Sequence, residues 1–147
     1  MRDMKEGKIE GVHVFRLGEG TDVVKEILRI AREEEIRSGI LMAIGALRSA
    51  RFGFYVSAEE GYKIVELKRH LELLSCTGNI AVSEGEPLVH AHIVVGDEER
   101  HTYGGHLMEG TVVSPTVELH ILEIGGLSLT RHFDAKTGLK LLSVEPE

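Results

Sequence analysis

His90, His92 and His106 are the residues of this chain whose type and spacing could do chemistry. They fall in PLVHAHIVVGDEERHTYGGH, residues 87–106, which holds four of the eight histidines. Neutral imidazole is the commonest metal ligand among side chains and also titrates near neutral pH. Residues 88–95 are largely β-branched and apolar, lie between Glu84-Gly85-Glu86-Pro87 and Gly96-Asp97-Glu98-Glu99, and read as a strand. Strand alternation puts Leu88, His90, His92 and Val94 on one face and Val89, Ala91, Ile93 and Val95 on the other. Two imidazoles about 6.6 Å apart at Cα can lean towards one zinc ion, about 2.0–2.1 Å from each nitrogen. A tight antiparallel return through the acidic turn, with Gly104-Gly105 as a bend or bulge, would bring His106 alongside as a third ligand. Three neutral imidazoles leave zinc an open position for water or a small ligand. The same residues also suit the polar face of a half-exposed sheet.

A second pair repeats the pattern. In a strand over residues 117–124, Glu118, His120, Leu122 and Ile124 share a face. Glu118 and His120 are expected either to orient the metal ligands, to form an alternative ligand set, or to be a solvated strand face.

These residues need strands to hold them, and the chain supplies many. Residues 9–17 make a first strand. Thr21 as cap, Asp22 at the positive end and the stripe of Val23, Val24, Ile27, Leu28, Ile30 and Ala31 predict a helix to about Arg37, ended by Gly39 as a left-handed cap. Residues 40–44 are nearly all apolar, as in a strand buried on both faces or lying under the helix. Gly45-Ala46-Leu47 interrupts, and further strands follow at 52–56, 62–67, 70–76 and 80–83, with a turn at Thr77-Gly78-Asn79. Beyond the histidine strand come 106–113 and 117–124, broken at Ser114-Pro115, then 127–133. Leu139, Leu141, Leu142 and Val144 are expected to dock the tail. One helix among about eight short strands predicts an α+β domain over residues 1–147, mainly antiparallel, with the helix packed on the sheet. Its exposed edges and the apolar 40–44 segment predict self-association.

The totals narrow the function classes. A chain of 147 residues can bury about 70% of its unfolded surface as one domain. No apolar run nears the roughly 20 residues of a membrane helix, and the opening residues 1–8 lack an apolar signal core, so no membrane partner is expected and the location is read as cytoplasmic. Cys76 is the single cysteine, read as a buried thiol. Seventeen basic against twenty-four acidic residues give a formal charge of −7, which disfavours a phosphate backbone.

The stretches HLELLSCTGNIA, HAHIVVGD and GGHLMEGTVV carry a resemblance. Over nearly its whole length the chain resembles the PPC domain, the plants and prokaryotes conserved domain, also labelled PD1-like DNA-binding. Plant members carry a Gly-Arg-Phe-Glu-Ile-Leu-Ser motif. Arg69, His70, Leu71, Glu72, Leu73, Leu74 and Ser75 align with it here, matching at glutamate, one leucine and serine. The resemblance implies an antiparallel sheet with one main helix, a homotrimer, and a metal such as zinc on His90, His92 and His106. Plant members bind DNA through an AT-hook, an Arg-Gly-Arg-Pro segment that this sequence lacks. A slighter likeness to cupins rests on Asp97, Gly104, Pro115 and His120, with Val117 and Ile124 departing from that pattern.

Two functions follow as expectations. One is a metal-binding homotrimeric assembly or regulatory module that contacts a protein partner and reaches DNA or transcription indirectly. The other is a small zinc-dependent enzyme, in which a zinc-bound water at the His90, His92 and His106 site attacks or deprotonates a small-molecule substrate, with Glu118 or a nearby acid as general base.

Overall fold

A computed structural model describes residues 5–147; of the opening stretch read for an export signal, residues 1–4 lie outside the described residues. The elements in order are β1 (Lys8–Leu17), α1 (Val23–Glu33), β2 (Gly39–Ser57), β3 (Gly61–Leu67), β4 (Leu71–Ser83), β5 (Glu86–Gly96), β6 (Thr102–Leu107), β7 (Val112–Gly125), β8 (Leu127–Asp134) and β9 (Leu139–Pro146). The strands form one nine-stranded sheet in the order β1-β7-β2-β6-β5-β4-β8-β9, with β3 attached to β2. Every pairing is antiparallel except a single parallel bridge between Val82 of β4 and Thr130 of β8. The α+β architecture with one helix, among the described residues, is therefore as the periodicity implied. None of the described helical residues forms a helix long and apolar enough to cross a membrane.

Strand β2 organises the sheet because it is used twice. Its first half pairs with β4 and β7, and its second half pairs with β3 and touches β6 at Phe52 and Gly53. Strands β4, β5 and β6 thus wrap round and return to the strand they started from. Gly45-Ala46-Leu47 does not break β2, contrary to the sequence expectation. Those residues form bulges, which bend a strand without ending it.

Other boundaries move for identifiable reasons. The turn expected at Thr77-Gly78-Asn79 is the middle of β4, and Gly78 is there because a Cβ would stand 2.0 Å from the His90 carbonyl oxygen. The strand expected over 106–113 is two elements: β6 ends at Leu107, and β7 begins at Val112 and continues through Pro115. The tail forms β9, paired along its length with β8. The helix is capped by Asp22, whose Oδ1 accepts from the Lys25 amide and whose Oδ2 accepts from the Gly110 amide, while Thr21 turns its hydroxyl to the Gly18 carbonyl. It ends four residues before Arg37, at Glu33, and Glu35 at φ 55°, rather than Gly39, supplies the left-handed residue.

The apolar stripe of α1, with Val23, Ile27, Ile30 and Ala31 buried, closes the core over Leu41, Leu47, Leu71, Ile80, Leu119 and Ile121. Cys76 sits among them, and burial pushes its thiol up to about 12, so it is a packing residue with no thiolate at neutral pH. In the segment 40–44, Leu41 and Ala43 point into this core. Ile40, Met42 and Ile44 are 43%, 41% and 54% exposed, so within one chain the strand is buried on one face only.

Candidate metal centre

The histidines are positioned by two hairpins. Ser83 and Glu86 pair around a two-residue turn in which Glu84 and Gly85 have φ of 52° and 82°, both in the left-handed region that a tight hairpin requires. This fixes the β4–β5 register, with Asn79 opposite His90 and Thr77 opposite His92. The next turn is tied by Asp97, whose Oδ1 accepts from the amides of Glu99 and His101 at 3.0 and 2.9 Å. The resulting β5–β6 register sets His106 directly opposite His92. Gly105, between them in the weave, lies so near β2 that a Cβ would stand 2.6 Å from the Gly53 carbonyl oxygen. The glycine pair thus lets β6 slide between β5 and β2.

The three imidazoles form a triangle, with ring centroids 5.2 Å apart for His90–His92, 5.1 Å for His90–His106 and 5.7 Å for His92–His106. One nitrogen from each lies within 4.8 Å of the others. Ligand nitrogens on a tetrahedral zinc are about 3.3 Å apart, so modest side-chain rotations would bring the set onto one ion. The electrostatics favour the ligand form. Burial, then Arg131, then the other two histidines hold His90 down at about 4, and burial with His92 and Arg131 lowers His106 as well. Both rings are therefore neutral at physiological pH, the protonation state that a metal ligand requires. The donor set fits zinc, which accepts imidazole nitrogen readily and keeps a fourth position when three protein ligands bind.

Glu118 and His120 stand elsewhere. Both are exposed on β7, paired with Ile44 and Met42 of β2, and β2 and β4 separate them from β5. Along the sheet they stand three strand spacings from β5, about 14 Å, and among the described residues no hydrogen bond or ring contact joins either side chain to the three histidines. Asp97 is likewise no ligand. Its carboxylate accepts from the Tyr103 hydroxyl and lies 3.7 Å from Arg69 and 3.6 Å from His101, which answers the cupin-like spacing.

The groups that do touch the imidazoles were missed in the sequence. Arg131 on β8 donates from Nη2 to Asn79 Oδ1 at 2.8 Å and lies 3.2 Å from His90 Nδ1, while its Nη1 donates to the Lys140 carbonyl. Tyr62 on β3 lies against His106, ring centroids 5.0 Å apart. A signal for Arg131 was present: it shares a strand face with Leu129, and both are buried. A charged residue on the inward face of a strand needs a reason to be there. Beside the triad lies a cavity of about 200 Å³, lined by His90, His106, Tyr62 and Arg131 and by leucines of β5 and β9.

The fold that carries this geometry is shared with known proteins. The chain is 34% identical to a metal-containing protein from Archaeoglobus fulgidus whose crystal structure superposes with a TM-score of 0.87, covering 95% of this chain and 98% of that one. It is 30% identical to a plant- and prokaryote-conserved protein from Pyrococcus horikoshii, TM-score 0.85, covering 95% and 97%. A protein from Ralstonia eutropha JMP134 to which DNA binding is ascribed is 31% identical, TM-score 0.80, with 88% and 89% covered. Among curated proteins, a bifunctional protein GlmU from Synechococcus sp. (strain JA-2-3B'a(2-13)) is 29% identical over 136 residues, 92% of this chain. This chain spans only about a fifth of that relative's length, 20%. The model of the Plants and Prokaryotes Conserved (PCC) domain matches residues 4–125, most of the sheet with the helix and all three histidines, and the chain belongs to that family.

Proposed function

We propose that this protein is a zinc-binding assembly module: His90, His92 and His106 hold one metal ion, and copies of the chain associate as a homotrimer that engages a protein partner. The observation that carries the metal is the convergence of three imidazole nitrogens within 4.8 Å on adjacent, register-locked strands. Support for association comes from the sheet face away from α1. There Val12 of β1, Leu122 of β7 and Ile40 of β2 form an apolar row, and in the next row Val14 and Met42 flank His120, with Val12 and Val14 63% and 62% exposed. The family resemblance supplies the number three. A formal charge of −7 favours reaching DNA through a partner over gripping phosphates directly.

The test is elemental analysis of untagged protein and of its His90→Ala/His92→Ala variant, each with its mass in solution. Near-stoichiometric zinc in the parent and none in the variant is the expected result; a parent that cannot be loaded removes the metal from the reading. Met42→Glu should give a monomer that still binds zinc. A trimer surviving that charge would move the interface elsewhere.

A second reading, a small zinc-dependent enzyme, is favoured by the cavity and by Arg131 at its wall. Zinc would supply Lewis acidity at its fourth position. This chain's own residues would bind and orient a substrate there.

A further inference from the structure

Among the described residues, Arg131 has no counter-ion. It is only 7% exposed, and its partners are two neutral oxygens and one imidazole; its Nε is buried and meets no partner among the described residues. Desolvating a guanidinium is expensive unless an anion or a full set of acceptors compensates it. Among the described residues the cavity it lines has no carboxylate: its polar wall is His90, His106, Tyr62 and Lys140, and its apolar wall is Leu88, Val89, Leu139 and Leu141.

The contact with His90 adds a condition. A guanidinium cannot accept, so at 3.2 Å His90 Nδ1 is the acceptor, and the neutral ring then carries its proton on Nε2. With one nitrogen occupied by Arg131 and the other protonated, neither has a lone pair for a metal. If His90 instead binds through Nε2, the proton moves to Nδ1 and faces a donor. Metal ligation by His90 and the Arg131–His90 hydrogen bond therefore exclude each other. Once His90 is a ligand, Nη2 loses one acceptor while Nε already lacks one, and these two nitrogens form one edge of the guanidinium fork, the geometry that receives a carboxylate in two parallel hydrogen bonds.

We infer that the cavity beside the three-histidine site binds a small organic carboxylate, its carboxylate on the Nε–Nη2 edge of Arg131 and its apolar tail against Leu88, Val89, Leu139 and Leu141. The inference rests on the metal reading above, because ligation of His90 is what frees the fork. The cavity, at about 200 Å³, is smaller than the roughly 300–1,000 Å³ of drug-sized sites, which sets the ligand at a short branched acid. A short alkyl tail is required to use the leucines, so the site should discriminate by chain as well as by charge.

The experiment is calorimetric titration of isovalerate into protein stripped with a chelator, reloaded with zinc and checked for occupancy by elemental analysis. Isovaleramide, acetate and inorganic phosphate are the comparison probes. Isovalerate should bind at least tenfold more tightly than each of the three. Arg131→Gln and Arg131→Lys should each lose at least tenfold in isovalerate affinity while retaining zinc, since lysine keeps the charge but not the fork. Leu88→Trp, which fills the cavity and leaves Arg131 in place, should lose binding too, and covers the case in which the arginine variants fail to fold. Stoichiometric zinc with no isovalerate binding, or with binding unchanged in the arginine or Leu88 variants, overturns the inference and leaves the metal reading standing. Equal affinity for phosphate overturns the carboxylate class. Protein that takes up no zinc overturns the metal reading, and this inference with it.

Discussion

Strands β5 and β7 carry the same sequence device, and it has two outcomes. In β5, His90 and His92 alternate onto one face; in β7, Glu118 and His120 do the same. His92 has His106 as its partner across β6, and His90 has Asn79 across β4 with Arg131 behind it. His120 lies between Val14 of β1 and Met42 of β2, and Glu118 between Arg16 and Ile44. One pair is met by further nitrogen donors and a buried cation, the other mainly by apolar side chains. Alternation decides which way a side chain points; register decides what it meets. Chemistry needs both.

The largest expected effect tests that comparison directly. His90→Ala/His92→Ala should abolish zinc binding measured by elemental analysis, while Glu118→Ala/His120→Ala should leave it intact. Zinc at a hundred times its dissociation constant should then add about 2.7 kcal/mol to the stability of the parent and of the β7 variant, and nothing to the β5 variant, in thermal or denaturant unfolding. Zinc loss from the β7 variant would mean that the two strands cooperate across copies of the chain, and the contrast would fail.

A smaller effect separates the strands through their backbones. Gly78 and Gly45 are both packed against a carbonyl of a neighbouring strand: a Cβ at Gly78 would stand 2.0 Å from His90 O, and one at Gly45 would stand 2.3 Å from Thr116 O. Gly78→Ala and Gly45→Ala should each cost about 1–3 kcal/mol of stability by overpacking, read from urea midpoints. Gly78→Ala displaces β5 at the carbonyl of a ligand and should also weaken zinc binding severalfold. Gly45→Ala displaces β7 beside Val117 and should not. Equal zinc affinity in the two variants would show that the triad tolerates strand shifts.

The contrast also explains what could be read from the sequence. The helix stripe from Val23 to Ala31, the exposed and buried faces of β5, and the approach of His106 to His92 all follow from local period and a short turn, and they match the structure. Gly78 misled because a glycine that admits a neighbouring backbone has the same letter as one that turns the chain. Gly45 misled similarly, as a bulge in a strand that runs on to Ser57. Asn79 and Tyr62 were invisible as site residues because they arrive from β4 and β3, and the strand face that Arg131 shares with Leu129 on β8 marks it as inward without saying what it meets. Arg131 is 41 positions from His90 along the chain, and only the wrapped sheet brings it there. Local periodicity holds no record of such pairings.

The smallest expected effect is a pH dependence confined to the β5 side. Burial and Arg131 hold His90 at about 4, below the ordinary histidine value of about 6.5 that the unfolded chain retains. Below that ordinary value the unfolded state binds more protons than the folded state, so stability falls as pH falls. The contribution is fully present above about 6.5 and is lost progressively towards 4, where the folded protein also takes the proton. His106, lowered in the same direction, adds to it. Since the site is only half-buried, solvent screening reduces the effect to the order of 1 kcal/mol. Metal-free protein should therefore lose a few degrees of thermal midpoint between pH 6.5 and 4 beyond the loss seen in His90→Ala, whereas His120→Ala should follow the parent. A His90→Ala curve parallel to the parent's would mean that His90 is not held neutral by its surroundings and that Arg131 does not press on it, which would weaken the case for an unpaired guanidinium at the cavity wall.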